Sequence, residues 1–296
     1  MYSHEDQIHL RLQAFAWLES RMDQLGWITK YDLLNEFFFR GSRFPLIATQ
    51  QGIHNPKELS ETLAVVSMHK GPYDDQIEDG LVKYKYAPGP LESGYNKKLL
   101  EAHNRKSPII FYQEVKPGIF VAYPHTFIKG INPAEREFLL DIETSNIPTD
   151  LTMETSDLQK QYVTREIRQR MHQPKFRANV VLAYRTQCAI CRLQIPSLLD
   201  AAHIIPDSDV RGTAEVSNGL ALCKIHHAAY DRDILGISPD CVVSVKPSLL
   251  KVKDGPMLKH GIQELNGTRL TLPTSRIEQP KPEYLDVRFQ DFLKAT

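Results

Sequence analysis

The chain of 296 residues has no long apolar run and only four cysteines, and its 36 basic residues are balanced by 36 acidic ones. Each scarcity excludes something. No stretch approaches the roughly 20 apolar residues of a membrane-spanning helix, so no membrane partner is expected. The opening MYSHEDQIHLRL is polar and does not read as an export signal. The expected location is therefore the reducing cytoplasm, where cysteines serve better as metal ligands than as disulfides. A net charge of zero excludes indiscriminate nucleic-acid binding over the whole surface, but it leaves room for a local basic groove. Neither an internal repeat nor a low-complexity tract occurs. Hydrophobic content of 42% and charged content of 24% are ordinary for a globular protein. The length is enough for two domains.

What the chain does have is concentrated in residues 188–231, CAICRLQIPSLLDAAHIIPDSDVRGTAEVSNGLALCKIHHAAYD. Cys188 and Cys191 form one close pair, and Cys223 and His226 form another. Two residues between paired ligands let a tight turn aim both side chains at one ion. Thiolate and imidazole in tetrahedral geometry are the preferred ligands of structural zinc. Three of the four cysteines fall in this pattern, and only Cys241 is left over.

Interleaved with these ligands is a second set: His203, Asn218 and His227. The run LLDAAHIIP (198–206) is apolar and ends in proline, which predicts a strand entering a turn. NGLALC (218–223) predicts a second short strand, and CKIHHAAY (223–230) has helical composition. His226 and His227 are adjacent on that helix and diverge by about 100°, so each can serve a different metal.

With AAHIIP, NGLALC and HHAAYD in this order, the segment resembles the HNH endonuclease family, whose fold is the ββα-metal finger, and within it the restriction-endonuclease branch. The resemblance implies that His203 is the general base, deprotonating the water that attacks phosphorus. It implies that Asn218 orients the active-site loop and the histidine, and that His227 ligates one divalent cation, Mg²⁺ or Mn²⁺ among several suitable ions. Many family members carry a metal-ligating aspartate or histidine immediately before the base, where this chain has Ala202. Asp200, two residues further back, is a ligand candidate. Asp231, four residues after His227, can ligate the metal or orient His227. Either carboxylate can equally be a cap or a surface charge.

Ahead of this segment lies YVTREIRQRMHQPKFRANVVLAY (162–184). Val163, Ile167 and Met171 recur at helical spacing, and Phe176, Val180, Val181 and Tyr184 predict a second helix packing on the finger. Arg165, Arg168, Arg170, Arg177 and Arg185 are candidates for a phosphate-gripping surface, with a solvated helix face as the alternative.

The first 145 residues form a separate DNA-reading unit. Ile8, Leu12, Phe15, Leu18 and Met22 mark a helical stripe closed by Gly26, and Thr29 can cap a second helix through Leu33, Leu34 and Phe38. Short β-like runs follow: LIATQQGI, TLAVVSM, LVKYKYA, SPIIFYQEV and GIFVAYPHTFI, interrupted by a helix over 96–105. The stretches GSRFPLIATQQGI, GPYDDQIEDGLVKYKY and SPIIFYQEVKPGIFVAYP resemble SRA/PUA-like modules, which restriction enzymes use to inspect bases. Such a module implies a flipped nucleotide in an aromatic and polar pocket. Tyr73, Asp74 and Asp75 are the candidates for that pocket, with Tyr84, Tyr86 and Tyr112 near in sequence. The alternative for any of the tyrosines is ordinary strand packing.

Residues 146–161 (NIPTDLTMETSDLQKQ) read as a linker, and 162–296 as the nuclease domain, closed by a helix over 283–293 with Leu285, Phe289 and Phe292 inward. The expected class is α+β: N-terminal helices plus a small curved β domain, then a zinc-stabilised ββα-metal domain. The expected activity is metal-dependent hydrolysis of double-stranded DNA by a restriction-type enzyme directed to modified cytosine. A homodimer would give double-strand cleavage. A homing, mobile-element or nicking nuclease is one alternative, and a non-catalytic zinc-stabilised DNA-binding module is another.

Overall fold

The structure is a computed structural model describing residues 1–68, 77–78, 81–142, 173–206, 209 and 211–295. The chain forms two compact units, Met1–Lys175 and Phe176–Thr296. The expected linker, 146–161, lies outside the described residues.

The first unit opens with α1 (His4–Leu25), capped by Ser3 and ended by Gly26 in the left-handed conformation. Its buried face is Leu10, Ala14, Phe15 and Leu18 together with Gln7 and Arg11. The expected stripe is therefore misplaced at its start, because Ile8 and Leu12 are 45% and 55% exposed. The reason is polar. Arg11 is buried with Glu61 at 3.4 Å and also donates to the carbonyls of Pro108 and Thr62, and this pairing turns the helix. Burial pushes the Arg11 pKa down, while Glu61 opposes the shift.

β1 (Ile28–Thr29) leads into α2 (Lys30–Asn35), where Thr29 and Asp32 form a capping box. This helix stops before Phe38, which instead begins the hairpin of β2 (Phe38–Phe39) and β3 (Ser42–Arg43). There follow β4 (Ile53–His54), β5 (Ala64–Ser67), β6 (Ile77–Glu78), β7 (Leu81–Lys85), α3 (Gly94–Asn104), β8 (Ile109–Lys116), β9 (Ile119–Asn132) and β10 (Glu137–Ile142). They build one sheet in the order β4-β5-β8-β9-β10-β7-β6, with β1 added to β9. Only β5 and β8 run parallel, and every other pair is antiparallel.

Along β8 the side chains alternate between two cores. Ile110 and Tyr112 join the cluster beneath α1, while Ile109 and Phe111 join the cluster that holds Leu99 and Ala102 of α3. A strand covered on both faces explains the unbroken apolar run IIFY. The sheet curls where β9 shifts register against β8: Ile109 pairs with Thr126 but Phe111 pairs with Tyr123, and His125 within the bulge has φ +59°. The tyrosines near the anticipated base pocket are packing residues. Tyr112 is fully buried, Tyr84 donates to the Gly52 carbonyl, and Tyr86 packs edge-on against Phe138.

The second unit starts with helix α4, described over 173–183, whose buried residues include Phe176, Val180 and Val181, as the sequence pattern anticipates. β11 (Leu199–His203) pairs antiparallel with β12 (Gly219–Cys223), and α5 (Lys224–Asp231) follows at once. That is a ββα unit at the expected positions. β13 (Leu235–Ile237) and β14 (Val243–Val245) form a second hairpin, followed by α6 (Pro247–Leu250), α7 (Pro256–Gly261) and α8 (Pro282–Lys294). Leu285 and Phe292 of α8 are buried. The run TRLTLP (268–273) contributes only an isolated bridge, between Arg269 and Val242.

Candidate active site and metal cluster

The hairpin places the four soft ligands together. Leu199 pairs with Cys223 at the end of β12, and Cys223 is also the N-cap of α5, so His226 follows within the first helical turn. Cys188 and Cys191 sit on a tight turn closed by hydrogen bonds between Cys188 N–H and Leu193 O and between Arg192 N–H and Cys188 O. One ligand atom from each of Cys188, Cys191, Cys223 and His226 lies within 4.8 Å of all the others.

The spacing can be tested against zinc. A tetrahedral ion with sulfur at 2.3 Å and nitrogen near 2.0 Å would separate two sulfurs by about 3.8 Å and sulfur from nitrogen by about 3.5 Å. Cys191 Sγ lies 4.0 Å from Cys223 Sγ, and His226 Nδ1 lies 3.4 and 3.2 Å from the sulfurs of Cys188 and Cys223. The residues fit the ion.

The outer nitrogen of His226 donates to the Gly261 carbonyl at 2.9 Å, which leaves Nδ1 for the metal. Burial disfavours the charged imidazole, but the two cysteines and this carbonyl outweigh it and raise the His226 pKa to about 10.

His203 ends β11 and pairs with Gly219. Its ring stacks on Phe176 of α4 with centroids 4.0 Å apart and planes inclined by 11°. Asn218 is completely buried. Its side-chain oxygen accepts from the Ile205 N–H at 2.9 Å, and its nitrogen donates to the carbonyls of Ile205 and Thr213 at 3.0 and 2.9 Å. Its own carbonyl accepts from the Ile204 N–H. One side chain therefore closes the neck of the loop between the two strands, directly beyond His203.

His227 sits between two carboxylates. Asp200 Oδ2 is 3.7 Å from Nδ1, and Asp231 Oδ2 is 3.4 Å from Nε2. The Asp200 carboxylate beside it raises the His227 pKa despite burial, and the same pairing holds the Asp200 carboxyl below its usual range. Because the carboxylates address opposite ring nitrogens, the three groups do not surround one point. Among the described residues, only the cysteine–histidine group converges as a metal cage. Ala202, where many family members carry a ligand, is fully buried.

The remaining candidates divide. Arg177 lies 3.4 Å from Asp200 and donates to the carbonyls of Pro196 and Leu199, so it braces the start of β11 and does not project freely as a phosphate grip. Arg185, with φ +56°, is exposed just past the end of α4. Arg165, Arg168, Arg170, Tyr73, Asp74 and Asp75 lie outside the described residues.

Residues 188–238 match the family of HNH endonucleases. This part of the chain is an HNH endonuclease domain. No curated protein sequence matches the chain. Among solved structures, the chain is similar to the modification dependent TagI restriction endonuclease at 14% identity and TM-score 0.30, covering 81% of this chain and 85% of that one. It is also similar to the Type IV phosphorothioation-dependent restriction endonuclease ScoMcrA at 14% identity and TM-score 0.23, covering 62% of this chain and 48% of that one.

The structure adds braces to the HNH domain that no sequence pattern pointed to. Lys281 N–H donates to Ser217 O, and its ammonium reaches Glu215 at 3.1 Å, so the segment before α8 is tied to the residues just ahead of Asn218. Arg288 of α8 contacts Asp233 at 2.6 Å and donates to the Tyr230 carbonyl at 2.7 Å, which holds the C-terminal end of α5. No helix among the described residues is long and apolar enough to cross a membrane.

Proposed function

We propose that the protein is a restriction-type DNA endonuclease whose N-terminal unit selects modified cytosine and whose HNH domain hydrolyses the phosphodiester bond. The observation that carries the nuclease half is the assembly of His203, Asn218 and His227 on one ββα unit, with the loop after His203 held by a completely buried asparagine. His203 takes the proton of the attacking water on a ring nitrogen, a task suited to imidazole. Asn218 fixes the backbone that follows it.

His227 and Asp231 would hold a divalent cation, Mg²⁺ or Mn²⁺, while Asp200 fixes the plane of His227 from its other nitrogen. When bound, such an ion neutralises the scissile phosphate and the departing 3′-oxygen. Asp231 is the better ligand of the pair because its side chain is 58% exposed, whereas Asp200 is partly committed to Arg177. A zinc ion held by Cys188, Cys191, Cys223 and His226 would keep Cys223, and with it the start of α5, in place.

Selection by the N-terminal unit is supported by the SRA/PUA-like stretches of its sequence and by the curled sheet they form. An HNH finger contributes few base contacts, so discrimination must arise elsewhere in the chain. A single site cuts one strand, so double-strand cleavage requires a second copy of the chain.

The deciding experiment is cleavage by the full chain of matched duplexes with plain and modified cytosine, in Mg²⁺ and in Mn²⁺. A second arm measures binding of the same duplexes to His203→Ala, which should lose turnover by about 10²–10⁴-fold while keeping its fold. Equal cutting and equal binding of both duplexes would leave a nicking or mobile-element nuclease as the better account. Absence of any metal-dependent cleavage would leave a DNA-binding module.

A further inference from the structure

We propose that Phe176 is a positioning residue for His203, and that position 219 must be glycine for Phe176 to reach it. The inference rests on His203 being the general base and goes beyond that reading by naming what orients its ring. Phe176 lies outside the matched segment 188–238, on a helix the HNH unit does not include.

Two degrees of freedom of His203 need control. Its backbone is set by the strand pairing and by Asn218, which holds Ile204 and Ile205 directly after it. Its ring plane is a separate matter, because rotation about the Cβ–ring bond of histidine is broad and weakly restrained by its own backbone. A general base has to present one nitrogen to the attacking water within hydrogen-bond reach, so a ring that swivels loses the reaction geometry. Phe176 supplies a flat surface against one face of the imidazole, 4.0 Å away and nearly parallel, and is itself 2% exposed. A ring that is buried and nearly parallel to its partner can restrain that partner.

The approach is possible because of what is missing opposite His203. Gly219 is its cross-strand partner. A Cβ there would stand 2.9 Å from Cζ of Phe176 and 2.4 Å from Cγ2 of Val180, closer than side-chain carbons come. Any larger residue would lift α4 from the hairpin and carry the phenyl ring away from the imidazole. The glycine in NGLALC thus has a physical function separate from that of Asn218 beside it.

The test compares full-length Phe176→Leu and Phe176→Met, which keep an apolar side chain but have no flat face. Each should keep its zinc and DNA binding, with kcat lower by about 10- to 100-fold and KM and cation requirement unchanged. Phe176→His restores a flat ring without a para atom to meet Gly219, and should recover most of kcat at a pH of about 8, above the ordinary imidazole range. Gly219→Ala should lose at least as much kcat, because its methyl group meets both Val180 and Phe176. If one leucine or methionine variant does not fold, the other carries the comparison. Full kcat in a folded variant, with His203→Ala inactive, overturns the proposal and leaves the base assignment intact. Normal turnover by His203→Ala removes the base assignment, and the proposal falls with it.

Discussion

The side-chain amide of Asn218 and the backbone amide of Ile205 are hydrogen-bonded in both directions, at 2.9 and 3.0 Å, in a place with no access to solvent. This reciprocal pair, with the further bond to Thr213, fastens the loop that leaves His203 to the strand that returns. Asparagine suits the position because it offers a donor and an acceptor on one small planar group.

Replacing Asn218 by alanine leaves the Ile205 N–H and the carbonyls of Ile205 and Thr213 buried without this partner. Each such group costs about 1–3 kcal/mol, so a loss of about 3 kcal/mol and roughly 10 °C in melting temperature is expected. Asn218→Asp keeps the acceptor but sets a carboxylate against two carbonyls, and should be no better than alanine. Calorimetry and cleavage assays on both variants test this. An alanine variant that melts like the parent would show that the loop is held by something else.

Zinc content is the second prediction. The full chain should carry one tightly held zinc, and Cys188→Ala or Cys223→Ala should lose the metal and much of the fold of the second unit. Structural zinc contributes folding free energy of the order of 10 kcal/mol in small sites. Elemental analysis against melting temperature is the check. A well-folded cysteine variant without zinc contradicts the assignment.

The two carboxylates beside His227 should separate by the kind of defect they produce. Asp231→Asn removes a ligand, so the cation concentration for half-maximal rate should rise by about 10- to 100-fold, with the plateau regained at excess ion. Asp200→Asn releases the other ring nitrogen of His227, so the plateau itself should fall and added ion should not restore it. Rates measured across a titration of Mg²⁺ or Mn²⁺ distinguish the two. Exchange of the two phenotypes would exchange the two roles.

The N-terminal unit should lose stability in mild acid through His54. Burial lowers the pKa of its imidazole, and the bond to the Pro45 carbonyl at 3.0 Å only partly opposes this. The folded pKa therefore lies below the unfolded value of about 6.5, and the unfolded chain takes up the proton first. The contribution of this residue is complete above about pH 6.5 and declines as pH falls toward the folded pKa. Denaturant melts at several pH values, compared with His54→Gln, should show a shallower pH dependence in the variant. Parallel curves would rule His54 out as the origin.

Much of the second unit was legible because its chemistry is local in sequence. The Cys188/Cys191 and Cys223/His226 pairs are spaced so closely that backbone geometry alone brings each pair to one ion. The apolar run before His203, the turn residues, and the run after Asn218 dictate a hairpin whose register places those two residues at its mouth. The same locality explains why α3, β8 and α8 fall near their expected positions.

What the sequence could not decide depends on partners distant along the chain. The inward face of α1 follows from the pairing of Arg11 with Glu61, fifty residues away, so an apolar stripe counted on the helix alone begins on the wrong side. Arg177 reads as a basic residue free for phosphate until the carbonyls of Pro196 and Leu199 are seen to occupy it. In the same way, Gly219 is one glycine among fifteen until Phe176 and Val180 fill the space above it. The sequence by itself singled out the candidate residues for the chemistry, because ligand type and spacing are properties of a short segment. The tertiary structure alone decided which way their rings face and what holds them, because those are settled by packing between segments that the sequence keeps apart.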